Sequence, residues 1–156
     1  MSERYDPDHE VNLGGYTGSL TTYGAVVTGL LAALRATGRE VPERYDVSDV
    51  LIGGVATHKF SRLLARGSVT SPLRAPFTRF EESAGSAEHN EAPRGSHLQH
   101  TIGELLTCPF CMDVWVGTAY VAGLAFAPRL TRTWATVFGV VGVADALQHG
   151  YARLRD

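Results

Sequence analysis

Cys108 and Cys111, the chain's two cysteines, stand two residues apart in a Cys-Pro-Phe-Cys sequence and are the residues best suited to chemistry. Two thiolates at this spacing can bind one metal ion, and a tetrahedral zinc site then needs two more ligands. His97 and His100 lie three residues apart, so a helix would place both on one face. The four residues therefore predict a Cys2His2 zinc site. The alternatives are a site shared by two chains, and histidines that are merely solvated loop residues.

The same pair of cysteines suits two other roles. A Cys-x-x-Cys motif at the start of a helix favours the thiolate form of its first cysteine, as a redox dithiol requires. In thioredoxin-like proteins the motif follows a strand of a βαβ unit, and this sequence shows no such unit. A stable disulfide is not expected in a reducing cytoplasm. The third interpretation is therefore two thiols that pack at the entrance of a helix.

Hydrophobic segments must position this motif, and they cover residues 19–37, 50–66, 112–127 and 133–149. The first contains no charge before Arg35, and its length is about that of a helix crossing a bilayer. Small residues recur at a spacing of four in several segments, which is typical of closely packed membrane helices. The alternatives are a buried helix of a soluble bundle for the first segment and an amphipathic surface helix for the second.

The polar residues concentrate in the N-terminal tail and in the middle of the chain. Residues 1–18 predict a solvated, flexible tail, which leaves residues 19–156 as a single helical membrane domain. Within that domain, residues 67–107 predict a cytoplasmic linker ending in a short amphipathic helix over 96–107. The sequence thus predicts an all-α integral membrane bundle of three or four transmembrane helices. The Cys-Pro-Phe-Cys hinge would lie at the cytoplasmic face of the membrane.

The distribution of basic residues predicts the orientation in the cell membrane. If the N-terminus is cytoplasmic and all four segments span, nine of the 14 lysines and arginines lie inside and five outside. The positive-inside rule therefore favours a multi-pass protein with both termini in the cytoplasm. The net charge of −2 argues against a nucleic-acid partner.

A second candidate site lies in the linker, where Arg74 and Arg79 stand beside Phe77 and Phe80. Arginines flanked by aromatic residues are suited to binding an anionic lipid headgroup or a partner protein at the inner leaflet. The alternative is ordinary anchoring by basic residues on the cytoplasmic side. From charge alone, Glu104 is a candidate partner for either arginine.

Three blocks of the sequence resemble the DUF1360 family. They are residues 56–63 (ATHKFSRL), 69–80 (VTSPLRAPFTRF) and 103–111 (GELLTCPFC), followed by Trp115. The resemblance covers roughly residues 47–152, so the first hydrophobic segment lies mostly outside it. The family consists of small bacterial membrane proteins of uncharacterised function, some of them called sporulation proteins. The resemblance therefore implies a multi-pass membrane protein and supplies no reaction.

From these observations we expect a small multi-pass membrane protein that is a structural or interaction subunit of a membrane complex. Its partners would be the lipid bilayer and either another protein or a second copy of the chain. One alternative is a membrane-associated redox or zinc-binding protein that uses Cys108 and Cys111. A second is a soluble helical zinc module. The sequence shows no nucleophile elbow, phosphate-binding loop or metalloprotease helix, so it predicts no catalytic residue.

Overall fold

The computed structural model describes Tyr5 and residues 11–85 and 87–155, and most of this part of the chain is helical. The helices are α1 (Leu13–Ala36), α2 (Val47–Arg66), α3 (Ser71–Arg74), α4 (His97–Thr107), α5 (Pro109–Phe126) and α6 (Pro128–Arg155). Strands β1 (Thr78–Gly85) and β2 (Glu88–Pro93) form an antiparallel hairpin, and a 3-10 turn at Ser68–Thr70 precedes α3. We call α1, α2, α5 and α6 the body, and residues 67–107 the head.

Helix α1 begins at Leu13, earlier than the hydrophobic segment that starts at residue 19. The reason is a side-chain cap, because Asn12 Oδ1 accepts the N–H of Gly15 at 3.0 Å. Residues 13–18, part of the predicted flexible tail, are therefore helical. Residues 1–4 and 6–10 of that tail lie outside the described residues.

The body is built around α2, which packs against both α5 and α6. Glycines make these contacts close: Gly53 of α2 faces the ring of Tyr120 on α5, and Gly142 of α6 faces Val55 on α2. Aromatic rings fill the space between α2 and α6, where Phe60 lies 5.3 Å from Trp134 between ring centroids. The buried hydrophobic residues are few among those described: Leu34, Ala56, Ala65, Val116, Tyr120, Leu124 and Ala135.

The hairpin of the head corrects the all-α prediction, since residues 78–85 and 88–93 of the predicted linker form a two-stranded sheet. Pairing runs from Thr78 opposite Pro93 to Gly85 opposite Glu88, and Gly85 has a φ of 75°, which suits glycine at a turn. Sequence reasoning missed the strands because they lack an alternating apolar pattern. Contacts of β2 with α2 and α4, rather than a hydrophobic strand face, hold the hairpin in place.

Two helices of the described residues, α1 and α5, are long and apolar enough to cross a membrane by length and composition. The sequence predicts three or four such helices, so the full bundle goes beyond what this criterion supports. Charged residues inside the other two long helices account for the difference: Lys59 and Arg62 lie within α2, and Arg132 and Asp145 lie within α6.

Candidate functional site

The two cysteines lie where α4 meets α5, at a junction that we call the hinge (residues 108–111). Cys108 ends α4 and caps α5, and its Sγ accepts the N–H of Cys111 at 3.2 Å. Pro109 follows at the first helical position, where a missing N–H costs nothing. Cys108 and Cys111 are joined as a disulfide, with their Cα atoms 5.2 Å apart. The structure thus differs from the reduced pair expected from the sequence.

The four predicted zinc ligands do not come together. His97 begins α4 and Cys108 follows its end, so the helix separates them by about 16 Å at 1.5 Å per residue. His100 instead lies beside Glu104, with Nε2 3.8 Å from Oε1. Within the described part of the chain, no group of three or more His, Cys, Asp or Glu residues is arranged to hold a metal ion. The rigid α4 is the reason that the Cys2His2 site does not form here.

The hinge has one exposed side. Cys111 is exposed and Cys108 is half-buried, while Phe110 between them is 83% exposed. Trp115, one turn after Cys111, packs edge-to-face on Tyr23 of α1 at 5.4 Å between ring centroids. The hinge therefore presents Cys111 and the Phe110 ring to its surroundings, and the contact of Trp115 with Tyr23 joins α5 to α1.

Glu104 of α4 anchors the start of α1. Its Oε2 accepts a hydrogen bond from Asn12 Nδ2 at 2.7 Å, and its Oε1 accepts one from the Tyr16 hydroxyl at 3.3 Å. Asn12 also donates to the Thr101 hydroxyl at 2.9 Å. Glu104 thus joins the head to the body, and the suggested pairing with Arg74 or Arg79 is wrong.

Arg74, predicted to face lipid or a partner, instead lies inside the head and is 1% exposed. Its Nη2 and Nε donate to Glu91 Oε1 and Oε2 at 2.6 and 3.0 Å. Its Nη1 also donates to the carbonyl of Leu64 at 2.7 Å, and Nη2 to that of Gly67 at 3.0 Å. Arg74 therefore links the end of α2 to β2, and its guanidinium is not available to a headgroup.

Glu91 is the matching acid, and its side chain is 5% exposed. Burial raises the pKa of this carboxyl, but hydrogen bonds from Arg74, Thr78 and Ser71, together with the Arg74 charge, hold the pKa below its usual value. Thr78 donates to Oε2 at 2.6 Å and Ser71 to Oε1 at 3.2 Å. Glu91 is therefore ionised at neutral pH, and the buried pair carries no net charge.

The other residues of the predicted linker site divide between surface and interior. Arg79 and Phe80 are exposed, as predicted, and the Phe80 ring lies 5.0 Å from that of His89. Phe77 is half-buried, and its carbonyl accepts the N–H of Arg94 at 2.9 Å. The structure thus separates Arg74 and Phe77 from the surface pair formed by Arg79 and Phe80.

Sequence reasoning missed the ion pairs that join α2 to α6. Arg132 donates to both carboxylate oxygens of Asp49 at 2.8 Å, and the Tyr120 hydroxyl donates to the Asp49 carbonyl at 2.9 Å. Further along the same two helices, Lys59 pairs with Asp145. The charge order provided a signal, because acid then base along α2 matches base then acid along α6 when the two helices run parallel, as they do here.

A second set of missed contacts ties the hairpin to α2. Arg62 Nε and Nη2 donate to Glu88 Oε1 and Oε2 at 2.6 and 2.8 Å. One turn further along α2, Arg66 donates to the side chain of Asn90. The two arginines near the C-terminal end of α2 therefore hold β2 against this helix.

Known proteins that resemble the chain provide the remaining information. A family model described as "Protein of unknown function (DUF1360)" matches residues 52–151. The chain is also similar to "Sporulation protein YjcA" of Bacillus subtilis (strain 168), with 24% identity over 102 residues. That similarity covers 64% of this chain and 86% of the relative. No solved structure gives a significant match.

Proposed function

This chain belongs to the DUF1360 family, as its three sequence blocks predict, and from that premise we propose that it is a structural or interaction subunit of a membrane complex. The body would cross the cell membrane as a multi-pass bundle. The head would lie at the cytoplasmic surface, on the same side as both termini.

The observation that carries this proposal is the large apolar surface of the body. Leu51, Ile52 and Val55 of α2 are exposed, as are Val140 and Val143 of α6. Together they line an open groove of about 410 Å³. Exposed apolar side chains that cluster on one face mark a surface that meets a membrane or another protein, and a bilayer would cover this one. The paucity of buried hydrophobic residues has the same explanation.

The positions of the charged residues on α6 support a spanning arrangement. Residues 133–144 carry no charge, and the flanking Arg132 and Asp145 are both paired to α2. These two residues are about 20 Å apart along the helix axis, which is less than the thickness of a bilayer core. Because long basic side chains reach toward the headgroups, Arg132 and Lys59 extend the usable span at its two ends.

The construction of the head supports an interaction role. Buried and surface ion pairs hold β2 against the rest of the chain, and the outer strand β1 is paired with β2. That strand is exposed from Arg79 to Gly85. A surface that is already ordered loses little conformational entropy on binding. Arg79 and Phe80 are then a charged and an apolar contact for a partner protein.

Alkaline carbonate extraction tests the membrane location. We expect the full chain to stay with the membrane pellet, because the outward apolar side chains are covered by lipid. A reporter fused to the C-terminus should in addition show that this end of the chain lies in the cytoplasm. Recovery in the supernatant would overturn the membrane assignment and favour the soluble alternative.

Native electrophoresis of mildly solubilised membranes tests the interaction role. We expect the chain to migrate in a discrete complex larger than one protomer, and the double change Arg79→Glu with Phe80→Ser to dissociate it. Val69→Ser is the matched control, since it removes another exposed apolar side chain of the head. Migration of the unaltered chain as a single protomer would contradict the proposal, and so would a double variant that leaves the complex intact.

A further inference from the structure

We propose that the hinge is a thiol–disulfide exchange site for a cysteine-containing protein at the same membrane surface. Cys111 forms the mixed disulfide with that protein, and Cys108 is the resolving thiol. The inference rests on the proposed membrane location, which brings the partner to the hinge. It stands on the disulfide itself, on the unequal exposure of its two cysteines, and on the exposed apolar residues next to Cys111.

The position of Cys108 favours its thiolate when the disulfide is open. Its Sγ caps α5 and accepts the N–H of Cys111 at 3.2 Å. The first N–H groups of a helix lack intrahelical partners and form the positive end of its dipole. A negative charge on Cys108 Sγ is therefore stabilised by the N-terminus of α5, which favours Cys108 as the resolving nucleophile.

The unequal exposure of the two cysteines indicates that the partner contacts Cys111. Cys111 is exposed, whereas Cys108 is half-buried between two helices. Exchange requires direct access of one sulfur to another, so the partner meets Cys111 first. This assignment holds in both directions of the reaction, because each step passes through the same mixed disulfide.

The surroundings of Cys111 indicate the class of partner. Phe110 precedes it and is 83% exposed, and Val114, one turn along α5, is 52% exposed. On a helix, positions 110 and 114 both neighbour position 111, so these apolar side chains lie near Cys111. They favour a protein segment with apolar residues around its cysteine over a small charged thiol such as glutathione.

The reaction in the reducing direction balances in two steps. The Cys111 thiolate attacks one sulfur of the partner's disulfide, a Cys111–partner bond forms, and the partner's second sulfur leaves with the electron pair and takes a proton. The Cys108 thiolate then attacks Cys111 Sγ, and the partner's first sulfur leaves and is protonated. The partner's disulfide is reduced to two thiols, and the hinge is oxidised to the disulfide seen here. The protons come from the two hinge thiols.

Disulfide capture with the purified, reduced full chain in detergent tests the assignment. The probe is a synthetic peptide with apolar residues around one cysteine, supplied as its mixed disulfide with nitrothiobenzoate. The unaltered chain should release nitrothiobenzoate and then the peptide, and end with an oxidised hinge. Cys108→Ser should retain the peptide on Cys111. Cys111→Ser should react at about one tenth of the rate of the unaltered chain, or more slowly still.

Two further measurements complete the test. Acid quenching of the unaltered chain, followed by mass spectrometry, should find the peptide on Cys111, and this result does not depend on how well a variant folds. Phe110→Ser should slow capture of the apolar peptide more than it slows the reaction with oxidised glutathione. A peptide found on Cys108, or a reduced hinge that does not react, would overturn the exchange site.

Failure of the exchange site can be distinguished from failure of the proposed membrane function. A chain that stays in the membrane pellet but captures no peptide refutes the exchange site alone. A chain that captures the peptide but is extracted by carbonate refutes the membrane location, and with it the assignment of a partner at the membrane surface.

Discussion

The head and the body arrange charged and apolar side chains in opposite ways. In the head, Arg74 is buried against Glu91, and Phe80 lies on the surface. In the body, Val140 and Val143 face outward, and Arg132 is half-exposed where it pairs with Asp49. This contrast is expected when one region meets water and the other meets lipid, because the surrounding solvent decides which groups require internal partners.

The two arginine–carboxylate pairs show what the contrast means energetically. Removing one member of a fully buried pair leaves an uncompensated charge, which costs about 3–5 kcal/mol. A pair that water or headgroups can reach contributes about 0–1 kcal/mol. The buried pair should therefore control the stability of the head, and close helix packing should matter more in the body.

The largest effect is expected from Arg74→Ala, which leaves the Glu91 carboxylate buried without its cation. We expect the free energy of opening the head to fall by about 3–5 kcal/mol. Limited proteolysis of the purified chain in detergent measures this quantity. Arg79→Ala is the control and should cost less than about 1 kcal/mol, since its side chain is 70% exposed. Equal losses of free energy in the two variants would contradict the distinction between the buried Arg74 and the exposed Arg79.

Acid should reproduce part of that loss without a mutation. The pKa of Glu91 lies below its usual value of 4.5, because the Arg74, Thr78 and Ser71 contacts outweigh the effect of burial. A depressed pKa adds stability above the unfolded-state pKa, and that stability disappears as the pH falls through the folded-state pKa. Protease resistance of the head should thus be constant near neutrality and decline below about pH 4.5. The Glu91→Gln variant should lack the part of the acid-induced loss of protease resistance that Glu91 causes. An unchanged pH profile in this variant would show that Glu91 does not cause the loss.

A smaller effect is expected in the body from Gly53→Ala. A Cβ at this position would lie 2.6 Å from Cζ of the buried Tyr120 ring, so α2 and α5 must separate. We expect a loss of about 1–3 kcal/mol in the free energy of unfolding, measured by thermal unfolding in detergent. Gly54→Ala is a control one residue away, where a Cβ meets nothing within 4 Å, and it should be neutral or stabilising by up to about 1 kcal/mol. The same change in both variants would contradict close packing at Gly53.

Much of the architecture was predictable from local patterns. The apolar runs located α1 and α5, and the change from polar to apolar sequence placed the hinge between α4 and α5. The sequence blocks also identified the family correctly. Such features depend on neighbouring residues, through helix periodicity, capping and the length of an apolar run.

The contacts within the candidate sites were not predictable in this way. His97 and Cys108 looked like ligands of one metal ion, but the helix between them holds them apart. Arg74 looked like a surface cation, and the fold of the hairpin turned it inward against Glu91. No signal along the chain distinguishes Glu91 from Glu104 as the partner of Arg74.

The sequence by itself therefore determined roughly where the five long helices lie, where the cysteine hinge lies and which family the chain belongs to. Only the tertiary structure decided that the cysteines are joined, that the hairpin exists and that Arg74 is internal. The physical reason is the range of the interactions. Helix formation is decided within a few turns of chain, whereas the partner of a buried charge is decided by which distant segments pack around it.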